Sequence, residues 1–474
     1  MNCIDLFQKR VNETPNKMAL LIPGKERATF LELQNVGSKA QGLLLENGAK
    51  PGDAVLLLDT LGVRLYGCIS ALLSLGCSVI LVEPWMPVAK IQKMIELAKP
   101  KFFLSNPIGF LWGARVQAIR NIPRWIRIGK IASQTRKPGP LILEELAPET
   151  PGILTFTSGT TGDPKGVVRT QGYLMKQHEV LAEHLHAEQY PEPDLCIFAN
   201  FVLSNLGSGR GSVIIPPAWK PETLASIDHL PREYQPVTLT TGPAFLLQLQ
   251  KHAQANSLRA VHVGGALTDC AIFERAFERW PTVHWGHIYG GSEVEPVAVT
   301  DARKAVEFSR KKNYFQTLFL GENVSQISPR FETDTLWVAG PHVCPEYLGN
   351  EKENRIYKHK DASGRLWHAM GDRVKKDESG WWYMGRSGQP LEEFQLEQDL
   401  YSFLGSSKSF VLMQGGQKTL VGENLRVRKP EILKNFPQIN AVCETRIFRD
   451  RRHRARIDRK KSIEKGPSWL QNKN

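Results

Sequence analysis

The sequence predicts an α/β protein, and three features of its pattern indicate that fold class. Short apolar segments alternate with helical patterns over residues 1–150 and again over residues 172–289, which is typical of parallel sheets covered by helices. Two of these segments end at glycine pairs, Gly264-Gly265 and Gly290-Gly291. Ligands of open α/β sheets bind at the carboxyl ends of strands. After about residue 330 the segments become shorter and turns separate them, which indicates a β-rich subdomain.

The individual elements follow from the spacing of apolar residues. In the first helix, apolar residues at positions 4, 6, 7 and 11 fall on one face of a 3.6-residue period. The same periodicity predicts helices over residues 4–14, 28–45, 63–75, 89–98, 172–186, 243–252 and 269–279. Short apolar runs predict strands over residues 53–58, 78–82, 101–104, 152–156, 212–216, 237–240, 259–263, 283–289, 335–338, 365–367 and 381–383.

These elements predict two domains. The large N-terminal domain, residues 1–385, would contain stacked, mostly parallel sheets with helical cover, and its β-rich subdomain would cover about residues 330–385. Glycines at 385 and 388 then precede a charged region, which predicts a small α+β C-terminal domain over residues 386–474. Residues 446–465 form a basic tail of net charge +7 within a chain of net charge +13. The tail is suited to peripheral contact with an acidic membrane, although such runs are more often solvated ends, and we expect no specific nucleic-acid partner.

Cysteine usage and hydropathy indicate the cellular compartment of the protein and whether a segment could span a membrane. The seven cysteines are scattered without a CxxC pair, which argues against a disulfide framework or a cysteine-based zinc site. Reduced thiols fit a cytoplasmic protein. Residues 65–82 are uncharged and reach the lower limit of a membrane span. A helix, a turn at Gly76 and a buried strand explain this segment better.

The most informative motif is the segment 155–168, Thr-Phe-Thr-Ser-Gly-Thr-Thr-Gly-Asp-Pro-Lys-Gly-Val-Val. Glycines allow backbone N–H groups to approach an anion, hydroxyl groups add donors, and Lys165 supplies a positive charge suited to phosphate. The nucleotide P-loop requires Gly-Lys-Ser/Thr, whereas Pro164 and Gly166 flank this lysine. The segment therefore predicts a loop that binds polyphosphate and is distinct from a Walker motif.

Together with four later segments, this loop resembles the superfamily of adenylate-forming enzymes, which includes acyl-CoA synthetases, adenylation domains of peptide synthetases and luciferases. The similarity covers nearly the whole chain and is weak beyond Arg386. It rests on the phosphate loop at 157–166, the turn Gly264-Gly265-Ala266, the segment Tyr289-Gly-Gly-Ser-Glu293, the segment Met370-Gly371-Asp372 and the pair Gly385-Arg386. Within the superfamily, the chain is most similar to compact fatty-acid-CoA-ligase-like proteins and to β-lactone synthetases of olefin biosynthesis.

The resemblance implies ATP-dependent activation of a carboxylic acid, most plainly a fatty or lipid-like acid, to an acyl-adenylate, followed by transfer to CoA. It implies catalytic roles for Lys165, Glu293, Arg386 and Arg456, and a Mg²⁺ site at Glu293. Asp372 would hold the ribose hydroxyls. The residues implied in binding ATP are Thr157, Ser158, Gly159, Thr160, Thr161, Gly162, Lys165, Gly264, Gly265, Ala266, Tyr289, Gly290, Ser292, Asp372 and Arg386.

Two positions depart from the family pattern. Where the family has a C-terminal lysine that reaches the α-phosphate, this chain has Arg456, which keeps the charge in a bulkier, planar group. At the hinge, where the family usually has Asp or Lys, this chain has Gly388, and the following residues 389–397 contain no glycine. In CoA ligases that region lines the pantetheine tunnel. The departure at Gly388 therefore concerns the second step of the implied reaction, the transfer of the acyl group to CoA.

These departures leave two alternatives open. The first is a β-lactone synthetase that closes a 3-hydroxy acid with its own hydroxyl group and uses no CoA. The second, from another class, is a weakly active nucleotide-binding protein with a basic interaction tail.

Other candidate motifs are weaker. His178-Glu179 begins like a metalloprotease helix, but the next histidine is six residues on rather than four, so the two imidazoles do not share a face. We expect His178, His184 and His186 to be surface residues of one helix. Apolar residues between 198 and 206 would suit an acyl pocket or ordinary core equally well.

Overall fold

The computed structural model describes residues 1–82, 86–158, 164–332, 334–414, 416–450 and 456–471, and at 157, 158, 199, 200, 469 and 471 it describes the backbone only. The strands are β1 Met18–Ile22, β2 Glu26–Thr29, β3 Ala54–Leu58, β4 Ser78–Leu81, β5 Phe102–Ser105, β6 Arg124–Arg127, β7 Pro151–Ser158, β8 Pro164–Thr170, β9 Asp194–Cys196, β10 Ser212–Ile214, β11 Thr238–Thr241, β12 Ala260–Val263, β13 His284–Gly291, β14 Val294–Asp301, β15 Phe319–Gly321, β16 Ser328–Glu332, β17 Thr335–Ala339, β18 Lys358–Lys360, β19 Leu366–Ala369, β20 Asp372–Asp377, β21 Gly380–Arg386, β22 Ser409–Gln414, β23 Gln417–Gly422 and β24 Ala441–Glu444.

The helices lie between these strands. They are α1 Asp5–Glu13, α2 Phe30–Glu46, α3 Val63–Ser74, α4 Val88–Ala98, α5 Pro107–Gly113, α6 Gln117–Arg120, α7 Gln171–His184, α8 Ala199–Ser208, α9 Pro221–Ala225, α10 Pro243–His252, α11 Cys270–Arg279, α12 Ala302–Lys311, α13 Glu351–Tyr357, α14 Leu391–Leu404, α15 Lys429–Asn435, α16 Arg459–Glu464 and α17 Ser468–Gln471, with 3₁₀ turns at Ile128–Ile131, Ser226–His229 and Arg232–Tyr234.

Two large sheets form the body. The first has eight strands in the order β14-β13-β12-β11-β9-β10-β1-β2, and the second has six in the order β6-β5-β3-β4-β7-β8. Pairing is parallel inside both sheets, whereas the hairpins β1–β2, β13–β14 and β7–β8 are antiparallel. This arrangement confirms the predicted α/β class.

One apolar core joins the two sheets. It contains side chains from β1 and β10 of the first sheet, from β3, β4 and β5 of the second, and from α2 and α3 between them. Helix α2 begins with a capping box, in which Thr29 Oγ1 accepts a hydrogen bond from Glu32 N at 3.2 Å and Glu32 Oε2 accepts one from Thr29 N at 2.7 Å. The cap fixes where the strand β2 ends and the helix starts.

Smaller sheets follow the body. Strands β16, β17, β18 and β19 form a four-stranded antiparallel sheet, and β15, β20 and β21 form a three-stranded one. The C-terminal region is an α+β unit, in which β22, β23 and β24 form a sheet with its own core. The described part of the basic tail belongs to this unit, because Ile447 is buried in its core and Ile457 and Ile463 pack against that core.

The structure differs from the predicted elements in several places. Helix α2 starts at Phe30 rather than at 28, and α7 ends at His184, so that His186 lies beyond it. Strand β8 and helix α12 were not predicted. The sequence does not predict β8 because its composition, with Pro164 and Gly166, is typical of a loop. Antiparallel pairing with β7 gives this segment its extended conformation.

The uncharged segment 65–82 folds as helix α3 followed by strand β4, as the sequence predicts. Within the described ranges, no helix combines the length and the apolar character that crossing a membrane requires.

Candidate functional site

A cleft of about 880 Å³ lies between the body and the C-terminal unit. Its walls include the loop after β12, the end of β13, the start of β20 and the end of β21. Seven residues predicted from the sequence line it: Gly265, Ala266, Tyr289, Gly290, Asp372, Arg386 and Arg456. The cleft therefore unites motifs that are far apart along the chain.

The turn after β12 requires both of its glycines. Gly264 N donates a hydrogen bond to Thr241 O at 2.8 Å, and a Cβ atom at Gly264 would lie only 2.8 Å from Ile288 O. Gly265 has φ +79°, a left-handed conformation that side chains disfavour. The backbone of this turn can thus approach a flat ligand closely.

Tyr289, Asp372 and Arg386 form a trio beside the turn, joined by one hydrogen bond and one ion pair. Tyr289 Oη donates to Asp372 Oδ2 at 2.8 Å, and Asp372 Oδ1 lies 2.8 Å from Arg386 Nη1. Asp372 is only 6% exposed. Burial raises the pKa of Asp372, while the charge of Arg386 and the hydrogen bond from Tyr289 oppose that rise. Burial also raises the pKa of Tyr289, so the phenol stays protonated and acts as a donor.

Arg456 reaches this trio from the C-terminal unit. Its Nε donates to Gly265 O at 3.0 Å, and its charge acts on Asp372 together with that of Arg386. Desolvation in the cleft lowers the pKa of Arg456 and the charge of Arg386 acts in the same direction, although the side chain still reaches solvent. Two guanidinium groups and one carboxylate leave this end of the cleft positive, which suits an anionic ligand.

The backbone around Arg456 is held at both ends. Asp450 N donates to Arg456 O, and Arg456 N donates to Asp450 Oδ1, both at 2.9 Å. Three residues further on, Arg459 Nη2 forms a bidentate pair with Glu397 of α14 at 2.7 and 2.8 Å. Burial raises the pKa of Glu397, which Arg459 counteracts. These contacts position Arg456 over the turn.

The phosphate-loop motif joins β7 to β8. The two strands pair antiparallel with Thr157 opposite Lys165 and Ser158 opposite Pro164, which brings the ends of the loop together. Thr157 and Ser158 are described in their backbone alone, and the remaining predicted loop residues lie outside the described residues: Gly159, Thr160, Thr161 and Gly162.

Lys165 itself is buried near the start of β8. It is 6% exposed, its ammonium group forms an ion pair with Glu353, and it lies 4.0 Å from the ring centre of Tyr357 and 5.4 Å from that of Tyr347. The carboxylate of Glu353 balances the positive charge of the Lys165 ammonium group. Both tyrosine rings add cation–π contacts to the same group.

Glu293 and Ser292 form the turn between β13 and β14. Glu293 Oε1 accepts a hydrogen bond from Tyr347 Oη at 2.8 Å, and Ser292 O accepts one from Arg169 Nη2 at 3.1 Å. Glu293 is half-buried. Mg²⁺ binds through one or two carboxylates together with phosphate oxygens and water. A single half-buried carboxylate held by a phenol fits that donor set.

Sequence reasoning missed several residues of this site. Tyr347, Glu353 and Tyr357 surround Lys165 and Glu293, and Glu397 and Arg459 position Arg456. None belongs to a motif of the phosphate or nucleotide loops. Tyr347 lies in the loop before α13, and Glu353 and Tyr357 lie in α13 itself. Glu397 belongs to α14 and Arg459 begins α16, so only the tertiary structure brings the five residues to the site.

Comparison with known proteins identifies the family. The family model described as AMP-binding enzyme matches residues 7–348, which is more than half of the chain. The chain belongs to this family of AMP-binding enzymes. The resemblance to adenylate-forming enzymes is therefore confirmed, and the matched range contains the phosphate loop, the glycine turn and Glu293.

Two curated relatives and one solved structure illustrate the similarity of this AMP-binding enzyme. It is 26% identical over 369 residues to 4-coumarate–CoA ligase-like 8 of Arabidopsis thaliana, a match that covers 69% of this chain and 64% of the relative. It is 23% identical over 435 residues to the olefin β-lactone synthetase of Stenotrophomonas maltophilia, covering 80% of this chain and 78% of the relative. The amide bond synthetase of Marinactinospora thermotolerans has the same fold, with a TM-score of 0.79 at 16% identity over 96% of this chain and 98% of that chain.

Proposed function

We propose that this AMP-binding enzyme activates a carboxylic acid with ATP, giving an acyl-adenylate and pyrophosphate. One observation carries the proposal: the turn at Gly265, the trio of Tyr289, Asp372 and Arg386, and the C-terminal Arg456 meet at one cleft. The turn offers close backbone contact to a base, the carboxylate suits a ribose diol, and the guanidinium groups suit phosphate oxygens.

The proposed first step places little covalent work on the protein. A carboxylate oxygen of the acid attacks the α-phosphorus of ATP, the bond from that phosphorus to the bridging oxygen breaks, and pyrophosphate leaves with the electron pair. Because the reactants are both anions, positioning and charge neutralisation dominate the rate. Arg386 and Arg456 supply positive charge beside Asp372.

Two further groups would assist at the triphosphate. Mg²⁺, held by Glu293, would supply charge to the phosphates when bound. Lys165 is paired with Glu353, and we expect phosphate oxygens at the loop to compete with Glu353 for its ammonium group.

The acid class follows from the other lining residues. Trp219, Leu247 and Ile272 give the same cleft apolar surface, which supports an acid with an apolar chain or ring, such as a fatty acid. The apolar residues between 198 and 206 lie in or next to helix α8 and pack against the core. All seven cysteines are free, which supports a cytoplasmic location.

The acyl acceptor has two candidates. The name of the Arabidopsis relative favours CoA, whose thiol would attack the carbonyl carbon and release AMP. A specific observation favours internal closure: the chain passes from Gly388 directly into helix α14 at Leu391, so the loop expected along a pantetheine tunnel is short. In that case the hydroxyl group of a 3-hydroxy acid attacks its own carbonyl carbon, and AMP leaves with formation of a β-lactone.

Pyrophosphate exchange into ATP tests the first step. The protein is incubated with fatty, 3-hydroxy and aromatic acids, and acid-dependent exchange is expected with at least one class. Absence of exchange with every class would refute the proposal. Mass spectrometry of products formed with and without CoA then separates a thioester from a lactone, because the lactone forms in both samples.

A further inference from the structure

Three histidines meet on the body, away from the cleft. His186 follows helix α7, His262 lies in β12 and His284 begins β13. One possible ligand atom of each lies within 4.8 Å of the others, and the ring centres are 5.3 to 6.2 Å apart. The expectation that His186 belongs to the same helix as His178 and His184 is wrong, because helix α7 ends at His184 and His186 has φ +54°. His186 is not buried, as expected of a surface residue.

The strand register explains how two of the rings meet. Strands β12 and β13 pair in parallel with Ala260 opposite His284 and His262 opposite Gly286. Residues two apart on a strand share a face, so His262 and His284 are diagonal neighbours. A Cβ atom at Gly286 would lie 2.3 Å from His262 Cδ2. The glycine thus leaves the space in which the imidazole of His262 lies over the neighbouring strand.

The buried ring has an unsatisfied nitrogen. His262 is 1% exposed, and its Nε2 has no hydrogen-bond partner among the described residues. A buried polar atom without a hydrogen-bond partner destabilises the fold, and a bound ion would supply the missing partner. Burial lowers the pKa of His262 to about 3, which leaves the ring neutral at physiological pH. Arg210 also acts on this ring, but its charge is opposed by Asp194 at 3.7 Å.

We propose that His186, His262 and His284 bind a divalent transition-metal ion of the zinc class. Imidazole nitrogen suits Zn²⁺ and its substitute Co²⁺, and three ligands leave a fourth position for water beside the exposed His284. Tetrahedral bonds of about 2.0 Å require nitrogens about 3.3 Å apart. The nitrogens must therefore approach one another by up to about 1.5 Å on binding, which the two side chains that are not buried can do by rotation.

The ion would brace the strands that lead to the nucleotide. His262 is two residues before Gly264, and β13 continues from His284 to Tyr289. This site is separate from Glu293, and its donors are imidazoles rather than oxygen atoms. It therefore selects a borderline-soft ion where Glu293 selects Mg²⁺.

Cobalt titration tests the proposal. The full chain, freed of any histidine tag, is titrated with Co²⁺, and one equivalent should produce the visible d–d bands of a tetrahedral complex that Zn²⁺ abolishes. His284→Gln, an exposed position that should not disturb folding, should weaken binding by at least about tenfold. Gly286→Ala removes no ligand but displaces the ring of His262, and it should weaken binding as well.

The matched control is His229→Gln, an exposed histidine of the same body, which should bind Co²⁺ like the native protein. Absence of saturable one-to-one binding in the native protein would overturn the proposal. Equal affinity of His284→Gln and the native protein would also overturn it, whatever the activity of either.

Discussion

Replacement of Arg456 by alanine is the most direct test of the cleft chemistry. The hydrogen bond from Nε to Gly265 O is charge-assisted, a class that contributes about 1.5–3 kcal/mol. Its loss alone predicts a decrease in the exchange rate of about 10- to 100-fold, at about 1.4 kcal/mol for each factor of ten. If the guanidinium group also neutralises the reacting phosphate, removal of such a donor lowers the rate by about 100-fold or more.

The assay is acid-dependent exchange of pyrophosphate into ATP. We expect Arg456→Ala to lower the rate at saturating ATP by about 100-fold with little change in melting temperature, because the side chain reaches solvent. Arg456→Lys keeps the charge and should remain within about tenfold of the native rate.

Lys408→Ala provides the control, because Lys408 lines the same cleft, is exposed and carries the same charge. It should exchange at close to the native rate. If Arg456→Ala retained more than a third of the native rate, or fell no further than Lys408→Ala, the assigned role of Arg456 would be wrong.

Three further variants probe other parts of the molecule. Asp372→Asn should weaken AMP binding by about tenfold or more in titration calorimetry, because a charged hydrogen bond becomes neutral; unchanged affinity would exclude the ribose role. Burial lowers the pKa of His287 to about 4, whereas an unfolded histidine titrates near 6.5. The unfolded state thus binds more protons between these values, and native stability falls as pH drops through them. Between pH 6.5 and 4.5 the urea midpoint of His287→Gln should decrease less than that of the native protein. An equal decrease in both proteins would show that the lowered pKa of His287 does not cause the loss of stability. Thr29→Ala removes the capping box with Glu32 and should lower the free energy of unfolding by about 1 kcal/mol; an unchanged urea midpoint would show that the cap is dispensable.

Two helices show which elements the sequence pattern can predict. Helix α10 begins and ends at the predicted residues, because Pro243 suits a first helical turn and the apolar period is regular. Helix α12 was missed although its signal is present: Ala302, Ala305 and Val306 share one face, and Asp301 caps the N-terminus by accepting from Lys304 N. A capping residue directly before apolar residues at helical spacing is a helix-start signal that the sequence contains.

Strand β8 is a different kind of miss. Its composition, with Pro164 and Gly166, is that of a loop, and pairing with β7 overrides this local preference. The same pairing carries Lys165 inward to Glu353, so the partner of the motif's lysine could not be inferred from the motif.

The sequence by itself determined the α/β class, many of the helices and strands, and the motifs of the AMP-binding family, because periodicity and glycine spacing are local properties of the chain. It also located the departures at Gly388 and Arg456. Only the tertiary structure decided which side chains meet: the pairing of Lys165 with Glu353, the anchoring of Arg456 through Arg459, and the grouping of three histidines across β12 and β13. These contacts join residues distant along the chain, and their formation depends on strand register and packing, which no local pattern contains.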